Sequence, residues 1–593
     1  MSTPQSIVHL FFEACEKFDK PDAVLVKVDG KFKPYSHKFF KQRVEHFGRG
    51  LLALGVEAGE RVAIFSETRF EWAIADLGIM GAGGIVVPIY QTLTGEQAAY
   101  ILNDSGSVGV VCSSQALVDE LLSVKDKLTL LKFIILMDEA GEKPKDVLLM
   151  SEVEKKGINE DNERIFLGRW KQKKADDMAT IIYTSGTTGN PKGVILTHGN
   201  IISNIASCMT IMPCTEADTC LSHLPLSHIL ERMGGYYLML HGGVSIAYAE
   251  DIKTVAQNLL EVKPTVMVSV PRLFEKIYAK VMANAESSSF VKKKIFYWAM
   301  GVARQALPYL TTQRPIPGFL QKKYKLADKL VYSKIREKTG GRLKYLVSGG
   351  APLAREIAEM FLGIGLVMLE GYGLTETSPV LCINRPEKNK PGTVGPAVPN
   401  VEIKIADDGE ILAKGPNIMQ GYYKNPEATA SAIIEGWFHT GDIGVLDQDG
   451  YLRITDRKKD LIVTSGGKNI APQPIESALK LSPLIEQAVV LGDKHNFISA
   501  ILVPPWETVS EWAPPRGWPT DPLQLAGDPR LEAALEKEIA KQLEEFAHYE
   551  KVKKFVVLPN LLSIEGGELT PSMKVKRKVV NDKYASLIEQ IYA

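Results

Sequence analysis

Cysteine is scarce in this 593-residue chain. The six, at 15, 112, 208, 214, 220 and 382, form no Cys-x-x-Cys pair and stand near no histidine cluster. A disulfide frame or structural zinc site is therefore not expected, and a reduced cytosolic interior is. Net charge is absent: 70 Lys and Arg balance 70 Asp and Glu, so no global field favours nucleic acid. Long apolar runs are missing as well. The stretch 78–90 is apolar, but it is too short, and too broken by Gly and Pro, to cross a bilayer. Residues 1–17 lack a basic segment followed by an apolar core, so no secretory signal is expected.

What is present is most concentrated in Tyr183-Thr184-Ser185-Gly186-Thr187-Thr188-Gly189-Asn190-Pro191-Lys192-Gly193. It follows the apolar run 179–182, which reads as a buried strand that the glycines and Pro191 then end. Glycine-rich backbone frees N–H groups to converge on an anion, the hydroxyls add donors, and the lysine adds a mobile positive charge. This is polyphosphate chemistry. It is not a Walker loop, because Lys192 precedes glycine where that loop needs Ser or Thr for Mg²⁺.

Length and apolar content call for more than one domain. Short β-branched runs at 61–65, 84–89, 108–112, 133–137, 265–270 and 343–347 alternate with helical patterns such as 70–80 and 95–102. The alternation predicts an α/β architecture with parallel sheets. From about residue 390 the texture changes to short strands joined by the Asp-Gly turns 408–409 and 449–450, a small β-rich subdomain. A final α/β piece starts near Asp460 and carries a charged helix expected over 529–547.

Further motifs carry chemistry. Gly371-Tyr372-Gly373-Leu374-Thr375-Glu376-Thr377 follows the apolar run 366–369 and offers an aromatic face for a base and a carboxylate for Mg²⁺. Ser348-Gly349-Gly350-Ala351-Pro352 turns so that a planar base can lie against the backbone. Asp442, after Gly441, suits the two hydroxyls of a ribose, and Asp456 to Asp460 form a charged joint between two apolar strands. Lys574 lies in a basic run near the C-terminus. Singly, each has a bland reading as a turn or a solvated face.

In this order and spacing the motifs resemble the adenylate-forming superfamily of acyl-CoA synthetases, luciferases and peptide-synthetase adenylation domains, over about residues 40–580. Within it the chain looks most like the long-chain fatty-acid–CoA ligases, on His223-Leu224-Pro225-Leu226-Ser227-His228-Ile229-Leu230-Glu231-Arg232, on the segment 270–278, and on the lengthened region before Ser348. The resemblance implies an N-terminal domain over 1–456, of two α/β subdomains plus a β-rich one at about 390–456. A mobile α+β C-terminal domain over 457–593 follows, hinged near Lys459. It implies ATP, Mg²⁺ and coenzyme A, with acyl-AMP as intermediate. Thr184, Ser185, Gly186, Thr187, Thr188 and Lys192 would hold phosphates, with Thr184 and Glu376 at the metal. Gly350, Gly371, Tyr372 and Gly373 would frame adenine, Thr375 the α-phosphate, and Asp442 and Arg457 the ribose. Lys574 would be the catalytic lysine and His228 the gate of the acyl pocket, or else a satisfied core histidine. One departure is Val463, where many relatives carry lysine. A fatty acyl-AMP ligase, or another acid–thiol ligase of the superfamily, is the alternative.

Residues 287–344 hold fourteen Lys/Arg against two Asp/Glu, interleaved with Phe296, Tyr297, Trp298, Tyr309 and Tyr324. Basic and aromatic residues at helical spacing suit peripheral contact with an anionic membrane, or an ordinary basic surface. No nucleic-acid motif accompanies them. The expected location is cytoplasmic, with membrane association through this region.

Overall fold

A computed structural model describes residues 4–138, 144–184, 190–465, 467–514, 517–570 and 574–593. Two eight-stranded sheets dominate the first 420 residues. One runs in the order 380–383, 367–373, 345–348, 266–269, 219–222, 245–248, 24–28, 31–35. The other runs 421–422, 192–197, 178–184, 85–89, 61–65, 107–112, 133–136, 147–149. Their interiors are parallel, as the alternation of β-branched runs with helical patterns requires. Antiparallel pairs occur toward the ends, including 178–184 with 192–197 and 367–373 with 380–383.

The largest core lies where helices pack between strands of both sheets. Phe70–Gly81 is apolar on nearly every side and buried along almost its whole length, the environment a helix without a polar face demands. Of its two charges, Glu71 in the first turn pairs with Arg69, and Asp76 is fully buried and paired with Arg232. Asp76 also accepts from the Tyr237 hydroxyl at 2.6 Å, and Arg232 donates to Thr180 Oγ1 at 2.8 Å. The helix, the 230–237 segment and the strand ending at Thr184 are thereby tied together.

A five-stranded antiparallel group at 402–457 forms the β-rich piece. Beyond it, residues 462–588 build a separate core around the three strands 487–491, 499–503 and 554–557. Three local expectations change. The strand at 367 continues through Gly373 instead of ending before Gly371. It crosses its neighbour so closely that a Cβ on Gly373 would stand 1.8 Å from the Pro379 carbonyl oxygen. Asp442 sits within the ten-residue strand Trp437–Leu446, not in a turn. The charged helix ends at Gln542, five residues short of the expected 547, with Leu543 as its C-cap and on the same buried face as Leu531, Leu535 and Ile539.

Candidate active site

The ladder between 178–184 and 192–197 puts Thr184 directly opposite Lys192. A hydroxyl and an amine thus flank the two ends of the glycine-rich segment. Ser185, Gly186, Thr187 and Thr188 lie outside the described residues. The strand 192–197 also pairs with Gly421–Tyr422, which places the Tyr422 ring 5.1 Å from the Lys192 ammonium. The Tyr422 hydroxyl donates to Glu376 Oε1 at 2.9 Å. Tyr422 therefore connects the phosphate-type lysine to the carboxylate, a residue that the sequence reading missed. Its only local signal is the Gly-Tyr-Tyr run at 421–423, and nothing local says which strand that run joins.

A second chain of contacts lies across the cleft. The Tyr372 hydroxyl donates to Asp442 Oδ2 at 2.6 Å, and Arg457 Nε stands 3.1 Å from Asp442 Oδ1. Cross-strand register makes Asp442 and Arg457 direct partners. Each Asp442 oxygen already has one donor and keeps room for another, since a carboxylate has about four acceptor positions. Gly350 has φ +81°, a conformation that favours glycine, while a Cβ there would meet Val270 and Leu230 at ordinary contact distances. Gly371 and Gly373 lie in the strand 367–373, and Thr375 opens the short turn that follows it.

Lys574 is carried on the last hairpin of the chain. Thr570 N–H donates to the Lys574 carbonyl at 2.8 Å, Lys574 N–H donates to Thr570 Oγ1 at 3.0 Å, and Lys576 N–H donates to the Glu568 carbonyl at 2.7 Å. The Lys574 side chain opens onto the cleft lumen while protein surrounds it. Loss of hydration there, then the positive charge of Arg457, lowers its amine to about 8, with Asp442, Glu376 and Asp460 pulling the other way. Asp442, Arg457 and Glu376 line the same cleft as Lys574.

His228 lines the same cleft. Its Nδ1 accepts from the Leu230 N–H at 3.1 Å, and burial, then Lys574, pushes it down to about 4, so the ring is neutral. His223, close by, is lowered to about 4 by burial and reaches Ser269 Oγ at 3.1 Å. The sequence offered no reason to expect two buried acids in the cleft wall. Glu231 accepts from Ser222 Oγ at 2.6 Å and is raised by burial to about 8. Glu370 accepts from the Gly392 N–H at 2.9 Å and is likewise raised by burial to about 8.

The cleft that joins these groups has a volume of about 2780 Å³ and is also walled by the C-terminal unit. It brings together Thr184, Lys192, Gly350, Gly371, Tyr372, Gly373, Thr375, Glu376, Asp442, Arg457, Lys459, Lys574 and His228. Lys459 is exposed on its wall. Among the described residues no group of three or more His, Cys, Asp or Glu side chains is arranged to hold a metal.

Thr184 and Lys192 paired across a ladder, a Tyr–Asp–Arg chain and a lysine delivered from a separate C-terminal unit suit a nucleotide-using enzyme. The chain belongs to the AMP-binding enzyme family: its model matches residues 11–423, and that of the AMP-binding enzyme C-terminal domain matches 459–593. The chain is 39% identical over 582 residues to the long-chain-fatty-acid–CoA ligase FadD15 of Mycobacterium bovis, covering 97% of this chain and 95% of the relative. It is 33% identical to the peroxisomal long chain acyl-CoA synthetase 7 of Arabidopsis thaliana, over 96% and 83% of the two chains. The fold matches the crystal structure of the anthranilate CoA ligase AuaEII in complex with anthranoyl-AMP. That TM-score is 0.76 at 19% identity, covering 100% of this chain and 99% of that one.

Proposed function

We propose that the chain activates a long-chain fatty acid with ATP and passes the acyl group to coenzyme A. A carboxylate oxygen of the acid attacks the α-phosphorus, the bond to the β-phosphate oxygen breaks, and acyl-AMP and pyrophosphate result. The thiol sulfur of coenzyme A then attacks the acyl carbon, its proton is lost, and AMP leaves. The observation that carries this reading is Lys574, which shares one cleft with the Asp442–Arg457 pair, Glu376 and His228.

In this reading Thr184, Lys192 and the residues between them hold the β- and γ-phosphates, and Thr375 the α-phosphate. Tyr372 and Gly350 flank the adenine, Gly371 and Gly373 let its edge approach the backbone, and Asp442 and Arg457 take the ribose. The amine of Lys574 neutralises charge that builds on the α-phosphate oxygens, the kind of stabilisation worth about 10²–10³ in rate. A lone carboxylate with a hydroxyl suits a Mg²⁺ ion that arrives on phosphates better than a resident metal. Glu376 and Thr184 would hold that ion, which supplies charge neutralisation on the leaving pyrophosphate. His228, neutral and half-buried, stands as the gate to the acyl channel. With Lys574 in the cleft the acyl carbon is covered, so the second step needs the C-terminal unit turned about the joint at Lys459.

Membrane contact is part of the proposal. In helices Phe290–Leu310 and Gly318–Ala327, Phe290, Val291 and Phe319 are 71%, 64% and 74% exposed, with Lys294 and Lys323 each 4.4 Å over the Phe290 and Phe319 rings. Apolar side chains among lysines suit the interface of an anionic bilayer. No helix among the described residues is long and apolar enough to cross a membrane.

The test is product analysis with ATP, Mg²⁺ and a C6–C20 fatty-acid panel, with and without coenzyme A. Acyl-CoA, AMP and pyrophosphate from long chains are expected. Acyl-AMP accumulating despite coenzyme A would identify a ligase that stops at the adenylate. Flotation with anionic and with neutral vesicles tests the membrane contact, and binding only to the anionic ones is expected.

A further inference from the structure

We propose that Arg272, Glu275, Lys480 and Glu486 are positioning residues that latch the C-terminal unit in the orientation bringing Lys574 into the cleft; this rests on the two-step reading above. Arg272 lies in the first turn of helix Pro271–Glu286 and Glu275 follows it, and the N-terminal proline suits the start of a helix. Lys480 closes the helix Pro472–Leu479, and Glu486 immediately precedes the strand Gln487–Leu491. Arg272 engages Glu486 twice: one guanidinium nitrogen donates to the Glu486 carbonyl at 2.9 Å, and another pairs with its carboxylate. Lys480 Nζ reaches Glu275 Oε1 at 3.1 Å, and Arg272 stands 3.9 Å from Glu275. Leu481, next to Lys480 in the chain, packs against the core that includes Phe274 of the helix Pro271–Glu286.

Each unit contributes one cation and one anion. In the observed docking every charge meets its opposite, whereas a docking that exchanged the contacts would set Arg272 against Lys480 and Glu275 against Glu486. Such an arrangement selects one orientation by attraction and rejects the other by repulsion. The side chains are withdrawn only in part, Arg272 being 32% exposed and Lys480 26%. Ion pairs at that depth each bias an equilibrium by about two- to fivefold, enough to favour the adenylating orientation without trapping it. The latch stands on the cleft wall and has no hydrogen bond or ion pair to Asp442, Glu376 or Lys574 among the described residues, so it is read as acting on where Lys574 is held and not on the reacting atoms.

The two half-reactions separate this role from a general structural one. ATP–pyrophosphate exchange reports adenylation, and transfer from supplied acyl-AMP to coenzyme A reports the second step. Glu486→Arg is expected to lower exchange about five- to twentyfold and leave thiol transfer unchanged or faster, with R272E/E486R recovering most of the exchange. Equal losses in both half-reactions, no loss in either, or no recovery in the double variant overturns the latch. A wild-type protein that performs neither half-reaction refutes the functional reading instead. A second arm does not depend on the charge variants folding. R272C/E486C bridged by a short bismaleimide, with the six native cysteines buried, is expected to form acyl-AMP for one turnover and no acyl-CoA. Sustained acyl-CoA production by the bridged enzyme also overturns the proposal.

Discussion

The lowered Lys574 amine makes adenylation pH-dependent in a direction that can be calculated. With an amine at about 8, the charged fraction in the free enzyme is about nine in ten at pH 7 and about one in ten at pH 9. If the charge is what stabilises the α-phosphate, kcat/KM for ATP–pyrophosphate exchange should be nearly flat below about pH 7. It should be halved near pH 8 and approach a tenfold fall per pH unit above about pH 9, since kcat/KM reports groups of the free enzyme. Bound ATP brings negative charge beside the amine and favours its protonated form. The corresponding limb in kcat should therefore lie at higher pH. Thiol transfer from supplied acyl-AMP should lack the Lys574 limb. Lys574→Arg keeps its charge at every accessible pH, so its exchange rate, although lower, should lose the alkaline fall. If Lys574→Ala retained the same limb in its residual exchange, the limb would belong to another group and the reasoning would be refuted.

Asp442→Asn leaves Arg457 without its partner, and a lost hydrogen bond to a charged group costs about 1.5–3 kcal/mol. The KM for ATP should rise about ten- to a hundredfold in steady-state kinetics, against a smaller rise for Tyr372→Phe. Arg232→Met strands the buried Asp76 carboxyl, a loss of about 3–5 kcal/mol that D76L/R232M should largely relieve in urea unfolding. In the single variant Asp76 must be protonated to stay buried, so its folded pKa lies above the unfolded one. Stability should then fall as pH rises above the unfolded value near 4, and urea curves from pH 5 to 8 check this. Gly373→Ala meets the Pro379 carbonyl and should cost about 1–3 kcal/mol with a raised KM for ATP, measured on the same preparation.

Strand and helix positions in the parallel sheets were legible because burial repeats with a local period: the runs at 61–65 and 133–137 became strands within one residue of their expected ends. Partners were another matter. Tyr422 reaches Glu376 through a strand pairing with residues 194 and 195, and Asp76 meets Arg232 across 156 positions. Neither register nor a long-range ion pair leaves a local period to read. The buried acids Glu231 and Glu370 were invisible for a related reason, since a carboxyl in the sequence says nothing of whether water reaches it. Asp442 looked like a turn residue because Gly-Asp usually is one, and only its neighbours on both sides of the sheet make it a strand.

Thr184 and Lys192 are neighbours across a ladder whose inner strand is held in the core through Thr180 and the Arg232–Asp76 pair. The gap between them is set by the sheet and not by the seven residues that connect them. They behave as the two piers of a bridge: the span can be rebuilt, by substitution or by evolution, while its footings keep their separation. Variation within the connecting segment should therefore tune how tightly phosphate is gripped. On the proposed role of Thr184 and Lys192, a change at the buried Thr180 or Arg232 would move the footing itself and with it one of the two points from which the grip would be made.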